Sequence, residues 1–342
     1  MLFYVKFERM KINEPTTFQG SMRTIAVVLL FFFFSAFQLS AQLPEALDKS
    51  TIIEQDVKSQ VQYNHKYDDG EPSEEGYKNS YKEFDRNGNV TKEEYYRRGD
   101  INQELSYKYD RNQRKTEYVN YSAEEDEIRF KQTIDYNDQG KKIKENRYNG
   151  SEHRIIDYEY NDQGRLNHII KKDLDGNLVQ ERVFSLDGNV ANIRVLNGQG
   201  KLISRVVNKY DDHGNLIEHK EFDPQGNRTK KISYKFNRDN LKTDEIKYQK
   251  GNFIYHKTYH YNNNNNLVEI HKEQPRDKVH TSKIFEYTSD GQLKKEMWYD
   301  SMADEYSHKR YFYDEKGIVQ RAEVYYALYD YKVQYRYQYT FY

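Results

Sequence analysis

His256 and His260 stand four residues apart beside Tyr259 and Tyr261. On a helix that spacing would aim two imidazoles at one zinc ion. On a strand the pair shares a face but lies roughly 13 Å apart at about 3.3 Å per residue, too far for a single ion. No Glu follows His256 as it does in a metalloprotease helix. Asp173-Leu174-Asp175-Gly176-Asn177 with Glu181 has the residue types of a calcium loop. Its Gly is fourth and its Glu ninth, where an EF-hand places them sixth and twelfth, so a hairpin turn is the expected reading. Asn197-Gly198-Gln199-Gly200 lacks the Lys-Ser/Thr pair of a phosphate loop. No Ser occupies a Gly-x-Ser-x-Gly elbow, and Glu124-Glu125-Asp126 reads as a solvated turn. No catalytic, cofactor-binding or metal-binding residue emerges, and the chain is expected to be non-enzymatic. A hydrolase assembled from distant His and carboxylate residues is the less favoured alternative. Rows such as Tyr335, Tyr337 and Tyr339 could stack on sugar rings or bases; the simpler reading is that they form the packed face of a sheet.

The composition bounds what could position such residues. The chain has 342 residues, 34 of them Tyr, with no Cys, one Trp and five Pro. Without Cys there is no disulfide framework, thiolate nucleophile or Cys-bound zinc. Lys and Arg number 54 against 55 Asp and Glu, so the net charge supplies no basic field, and nucleic acid is not an expected partner. A mean hydropathy of -1.13 borders on the disordered range, but that class also needs high net charge and few aromatics.

The one continuous apolar run, Ile25 to Phe34, follows Met22-Arg23 and leads to Leu39-Ser40-Ala41. Charged, apolar, then small is the order of a secretory signal peptide, and the run is too short and interrupted for a spanning helix, which needs roughly 20 residues. The expected organisation is an upstream extension at 1–21, a signal peptide at 22–41, a lead-in at 42–55 and one repeat domain at 56–342. No Cys follows the apolar run, so a lipoprotein anchor is excluded. The chain should be exported to the periplasm, cell surface or medium, and should not remain an integral membrane protein after cleavage.

A repeat dominates the exported part. Phe84-Asp85-Arg86-Asn87-Gly88-Asn89-Val90, Tyr160-Asn161-Asp162-Gln163-Gly164-Arg165-Leu166, Tyr210-Asp211-Asp212-His213-Gly214-Asn215-Leu216 and Tyr313-Asp314-Glu315-Lys316-Gly317-Ile318-Val319 share one pattern. Its order is aromatic, Asp or Asn, two polar residues, Gly, polar, aliphatic. With degenerate copies, aromatic anchors fall at 84, 109, 136, 160, 184, 210, 236, 261, 287 and 313. A second set of turns lies half a period away. Between turns the residues alternate: Phe253, Tyr255, Lys257, Tyr259 and Tyr261 share one face, and Tyr331, Val333, Tyr335, Tyr337, Tyr339 and Phe341 another. Period two with short Gly turns predicts antiparallel hairpins. The fold class is therefore all-β: an elongated, twisted or spiralling antiparallel sheet of tandem hairpin repeats, with a β-solenoid as the alternative. Thr51-Ile52-Ile53-Glu54 could open a helix, and a first strand is expected from about residue 56 to the Asp68-Asp69-Gly70 turn. An unpaired last strand would invite association, so the segment ending at Tyr342 should be covered by a partner, by the N-terminal segment or by a second copy.

The aromatic-Asp-x-x-Gly-Asn-Leu element resembles the YD repeat of RHS and teneurin-like proteins over about residues 67–342. That resemblance implies long spiralling sheets, often a shell around a cargo, and an association with carbohydrate. This chain is too short for such a shell, and the Asp-Pro-x-Gly-Leu boundary of the large members is absent. MORN-like repeats are a second, weaker resemblance. The expected function is an envelope scaffold or binding module for polysaccharide or a surface protein, with an immunity-like or effector-associated interaction protein as the alternative.

Overall fold

The computed structural model describes residues 46–275 and 280–342. The extension and signal-peptide readings lie outside the described residues, as does part of the turn at 274–277. A short helix α1 (Lys49–Glu54) comes first. Its cap is Asp48, whose carboxylate accepts from the Thr51 backbone N–H at 2.8 Å, three residues before the Thr51 expected to open the helix.

Among the described residues twenty-three strands follow: β1 (Val57–Asp68), β2 (Glu71–Pro72), β3 (Tyr77–Phe84), β4 (Val90–Arg97), β5 (Asp100–Tyr109), β6 (Lys115–Ser122), β7 (Glu127–Tyr136) and β8 (Lys142–Tyr148). Next come β9 (His153–Tyr160), β10 (Leu166–Lys172), β11 (Leu178–Asp187), β12 (Val190–Asn197), β13 (Leu202–Tyr210), β14 (Leu216–Phe222), β15 (Arg228–Phe236) and β16 (Lys242–Gln249). The last are β17 (Asn252–Tyr261), β18 (Leu267–Glu273), β19 (His280–Tyr287), β20 (Leu293–Asp300), β21 (Glu305–Tyr313), β22 (Val319–Tyr326) and β23 (Tyr331–Phe341). From β3 to β23 each strand pairs antiparallel with the next, as a meander of hairpins.

The two ends of the meander meet. β1 pairs on one side with β3 and on the other with β23, where Val61 lies opposite Gln338 and Gln62 opposite Tyr337. The sheet thus closes into a barrel of 22 strands, with β2 as a small flap on β1. Closure removes both edges. Of the covers expected for the last strand, the N-terminal segment is the one used. Twenty-two strands at about 4.8 Å give a perimeter of roughly 105 Å, so a circular ring would measure about 34 Å or more between opposite backbones.

One turn recurs on one rim. In nine hairpins from Asp85 to Asp314 the Asp, Asn or Thr after the anchor exchanges backbone bonds with the residues three and four further on. Its side-chain oxygen also accepts the backbone N–H four residues on, at 2.9 Å in Asp314 to Ile318. The fourth residue has positive φ, +78° at Gly317 and +76° at Gly200 on the other rim, which Gly adopts without a Cβ penalty. Each of these turns ends in a register shift, so that Tyr109 faces Lys115, Tyr136 faces Lys142 and Tyr313 faces Val319.

Among the described residues two small apolar clusters form. One joins Tyr259, Ile270, Phe285, Tyr311 and Ala322 along β17–β22; the other seats Ile52 of α1 on Val57, Phe84 and Ile318 beside the seam.

Candidate functional site: the inner wall

Register fixes which side chains share a face. Tyr107 lies opposite Tyr118, Ile134 opposite Glu145, Tyr158 opposite Ile169, Tyr259 opposite Ile270 and Tyr335 opposite Asn64. Followed around the ring, these positions form one continuous surface. It holds the buried members of most strands, including Ile134, Ile156, Phe184, Phe285 and Tyr311, while the opposite face holds exposed residues such as Lys108, Asp135 and Glu159. The first surface is the inside of the barrel. It is shielded but not dry: all seven residues of β14 keep intermediate exposure.

Tyrosine holds this wall together. The Tyr109 hydroxyl donates to the Val90 carbonyl at 2.9 Å, Tyr136 to Lys115 at 2.9 Å, Tyr160 to Lys142 at 2.7 Å, and Tyr261 to Lys242 at 2.8 Å. Tyr287, Tyr313 and Tyr339 donate likewise to Leu267, Leu293 and Val319. Each acceptor is the residue at which the preceding hairpin on that rim shifts register. A bulge takes a carbonyl out of the ladder, and the next repeat's anchor hydroxyl returns a partner to it. Anchors Phe184 and Phe236 have no hydroxyl, so the shifted residues Leu166 and Leu216 do not receive one. The hairpin joining β11 to β12 has no shift.

Charge is sorted between the faces. At mid-strand the inward carboxylates are Glu93, Glu145, Glu221, Glu245 and Glu296. Inward cations include Arg147, Arg154, Lys171 and Arg182 on β8–β11, and Lys230, Lys247, Lys257, Lys272 and Lys283 on β15–β19. With Lys82, Lys115, Lys142, Lys242 and Lys309, these cations outnumber the mid-strand carboxylates, giving a positive inner wall in a nearly neutral chain. The outer face carries balanced pairs at mid-strand, such as Lys92 with Glu104 at 2.9 Å, Lys172 with Asp157 at 2.8 Å and Lys231 with Glu218 at 3.2 Å.

The inner carboxylates sit in Tyr-lined nests. Glu145, with no solvent exposure, accepts from Gln132 at 2.6 Å and Tyr158 at 2.9 Å, and pairs with Lys142 at 3.0 Å and with Arg147. Glu245 accepts from Tyr255 at 2.5 Å and Tyr259 at 3.2 Å beside Lys242, and Glu93 from Tyr107 and Tyr95 beside Lys82. Burial pushes these carboxyls up, but the cations and hydroxyls outweigh it and hold all three below the usual range. They are fixed anions rather than proton donors. Burial in turn pushes the hydroxyls up, Tyr261 and Tyr287 to about 12, and pushes the ammonium groups of Lys257 and Lys309 down.

The residues first weighed for chemistry fall elsewhere or become structure. His256 and His260 lie on the outer face. His256 bonds Asp244 at 2.9 Å, and the His260 ring lies tilted against His271 with centroids 4.5 Å apart. Asp173–Asn177 and Asn197–Gly200 are hairpin turns closed by Asp173 and Asn197 side chains, and Glu124–Asp126 is a turn with Asp126 at positive φ. Tyr335, Tyr337 and Tyr339 lie on the inner wall. Composition gave no sign of that wall's charge, because the net count cancels two faces of opposite character.

No protein-family model matches the chain, and no curated protein does. Solved structures do. The crystal structure of TcdB2-TccC3-Cdc42 aligns over 75% of this chain and 14% of its own at 14% identity and a TM-score of 0.28. A porin-like protein from Bacteroides uniformis aligns over 84% of this chain and 97% of its own at 12% identity and 0.30. A porin-like protein from Bacteroides vulgatus aligns over 65% and 95%, at 12% and 0.27. This chain spans less than a fifth of the first of these. At these TM-scores the likenesses carry no argument about function.

Proposed function

We propose that this chain is an exported, non-enzymatic scaffold that holds a polysaccharide against the inner wall of its barrel, and that its hairpins are repeats of the YD type. The observation that carries the reading is closure itself. Pairing β1 with β23 turns a Tyr-rich face into a concave, half-accessible one, and Tyr and Trp rings with polar tips suit a surface that must stay wet yet bind flat sugar faces. Ionised, tightly held carboxylates support a binding role over acid-base chemistry. The outer face supports a water-exposed barrel: charged mid-strand pairs such as Lys92–Glu104 replace the apolar band that lipid contact demands.

The test is retention of the exported chain on insoluble cell-wall and capsule fractions, scored against a variant with Tyr255→Ala and Trp298→Ala on the inner wall. Retention that falls at least tenfold in the variant supports the reading. Absence of retention on any glycan fraction, with the fold intact by circular dichroism, overturns it.

A further inference from the structure

Four inward cations sit together on four consecutive strands. Arg147 of β8 lies opposite Arg154 of β9, Lys171 of β10 lies opposite Ile156, and Arg182 of β11 lies opposite Ile169. On a sheet lattice, direct neighbours lie about 5 Å apart and diagonal ones about 7–8 Å, so the four side chains occupy one patch.

Their partners are too few. Glu145 serves Arg147, and Glu152 pairs with one Arg154 Nη at 2.9 Å while the other donates to the His153 carbonyl. The Arg154 Nε is buried without a hydrogen-bond partner. Lys171 and Arg182 have neither a hydrogen bond nor an ion pair among the described residues, although both are partly shielded. Burial lowers the proton affinity of both and neighbouring guanidinium groups add to it, while Glu152 near Lys171 and Tyr158 near Arg182 oppose it only in part. Like charges gathered with too few counter-ions cost stability. Elsewhere on the wall an inward Glu serves some cations, as Glu245 serves Lys242 and Glu221 serves Lys230, while Lys257, Lys272 and Lys283 on β17–β19 form a second group without ion pairs among the described residues, made of ammonium groups rather than guanidinium forks.

We infer that Arg147, Arg154, Lys171 and Arg182 form a binding patch for the acidic groups of a carboxylated or sulfated polysaccharide. The patch rests on the lumenal-binding reading above and narrows its ligand to polyanions. Spread over neighbouring strands, the cations suit successive charges along a chain better than one isolated ion, and the guanidinium forks favour oxyanions. Between them Ile156, Ile169 and Val195 form the buried apolar base of the patch. The patch lacks paired aromatic platforms among the described residues: Tyr158 stands alone beside Glu145, and the nearby inward Phe184 is buried. Single-stranded nucleic acid, which stacks its bases on such platforms, is therefore the less suitable polyanion.

The experiment is calorimetric titration of the full exported chain with polygalacturonate, dextran sulfate, neutral dextran and an oligothymidylate. It is repeated for the double variant Lys171→Gln/Arg182→Gln and for Lys209→Gln, an exposed outer-face control. The expected result is binding of one or both acidic glycans, weakened by salt. The double variant should lose at least tenfold in affinity and the control less than twofold. In low salt without ligand, the double variant should melt at or above the wild-type midpoint, since unpaired charges have been removed. Equal acidic-glycan binding by the double variant, tighter binding of oligothymidylate, or a marked fall in its melting midpoint overturns the patch. Neutral-glycan binding without a preference for acidic ones overturns the patch alone and leaves the scaffold reading standing. Failure to bind any glycan removes both.

Discussion

The two rims of the barrel solve the same problem differently. On the rim that carries the aromatic anchors, nine hairpins use one five-residue turn, and seven anchor hydroxyls reach back to the carbonyl freed by the preceding bulge. Neighbouring turns are also laced: Lys141 Nζ donates to the Gly164 carbonyl and Gln292 Nε2 to the Gly317 carbonyl, both at 2.9 Å. On the opposite rim only three described hairpins, at Asp173, Asn197 and Asp223, use that turn, and the others vary, from two residues at Arg98-Gly99 to a short 3-10 turn at Ala327–Tyr329. Tyr there mostly serves its own turn, as Tyr148 bonds the Gly150 carbonyl; Tyr306 to Thr281 is one long-range stitch. The difference teaches that the repeat signature records a stability device. The free variation of the other rim marks where sequence can change without opening the ring.

The strongest challenge to that contrast is to cut the seam that both rims share. Deleting residues 331–342 removes the partner of β1 and exposes two Tyr-rich edges. Loss of the monomeric species in sedimentation, with aggregation or dimers in its place, is expected, and an unchanged stable monomer would contradict closure. Alkali should come next in effect. Tyr261 and Tyr287 are pushed up to about 12 by burial, above the ordinary value of about 10 in an unfolded chain. A raised folded pKa gives stability that is complete below pH 10 and disappears as pH rises through 12. Chemical denaturation midpoints should therefore hold to pH 9 and fall steeply from pH 10 to 12.

Single substitutions sharpen the contrast further. Tyr287→Phe leaves the Leu267 carbonyl without its donor and should cost about 1–2 kcal/mol. Tyr148→Phe on the other rim, where the hydroxyl is exposed, should stay within about 0.5 kcal/mol. The smallest effect runs the other way. Phe236→Tyr supplies a hydroxyl for the shifted Leu216 and should stabilise by up to about 1 kcal/mol, read from the urea midpoint; destabilisation would count against the bulge-and-hydroxyl account.

The stitched rim was legible in the chain because its turn needs Asp or Asn, a positive-φ residue and an aromatic at fixed spacing, all of them local demands. The alternation of β17 and β23 was equally plain, and it survives as inner and outer faces. Closure had no such signal. It depends on twist and stagger accumulated over every hairpin and on contacts such as Ser59 with Thr340, 281 residues apart. Charge sorting was hidden for a related reason: each bulge resets the alternation. Lys78 and Lys82 share parity along the chain, yet the shift next to Tyr63 puts Lys78 outside with Glu94 and leaves Lys82 inside with Glu93. Parity counted from one end fails after the first such shift. Register around the whole ring was needed to see that a neutral composition encloses a positive wall.

The central claim is that β1 and β23 close one chain upon itself, and the absence of native Cys permits a clean test. Val61 and Gln338 are direct partners across the seam, and opposed residues of an antiparallel pair lie within disulfide reach at about 4.5–5.5 Å between Cα atoms. The variant Val61→Cys/Gln338→Cys, oxidised in dilute solution and run under denaturing conditions, should appear as a monomer with one internal disulfide and should resist urea better than its reduced form. Free thiols, or disulfide-linked dimers, would show that the ends do not meet within one chain.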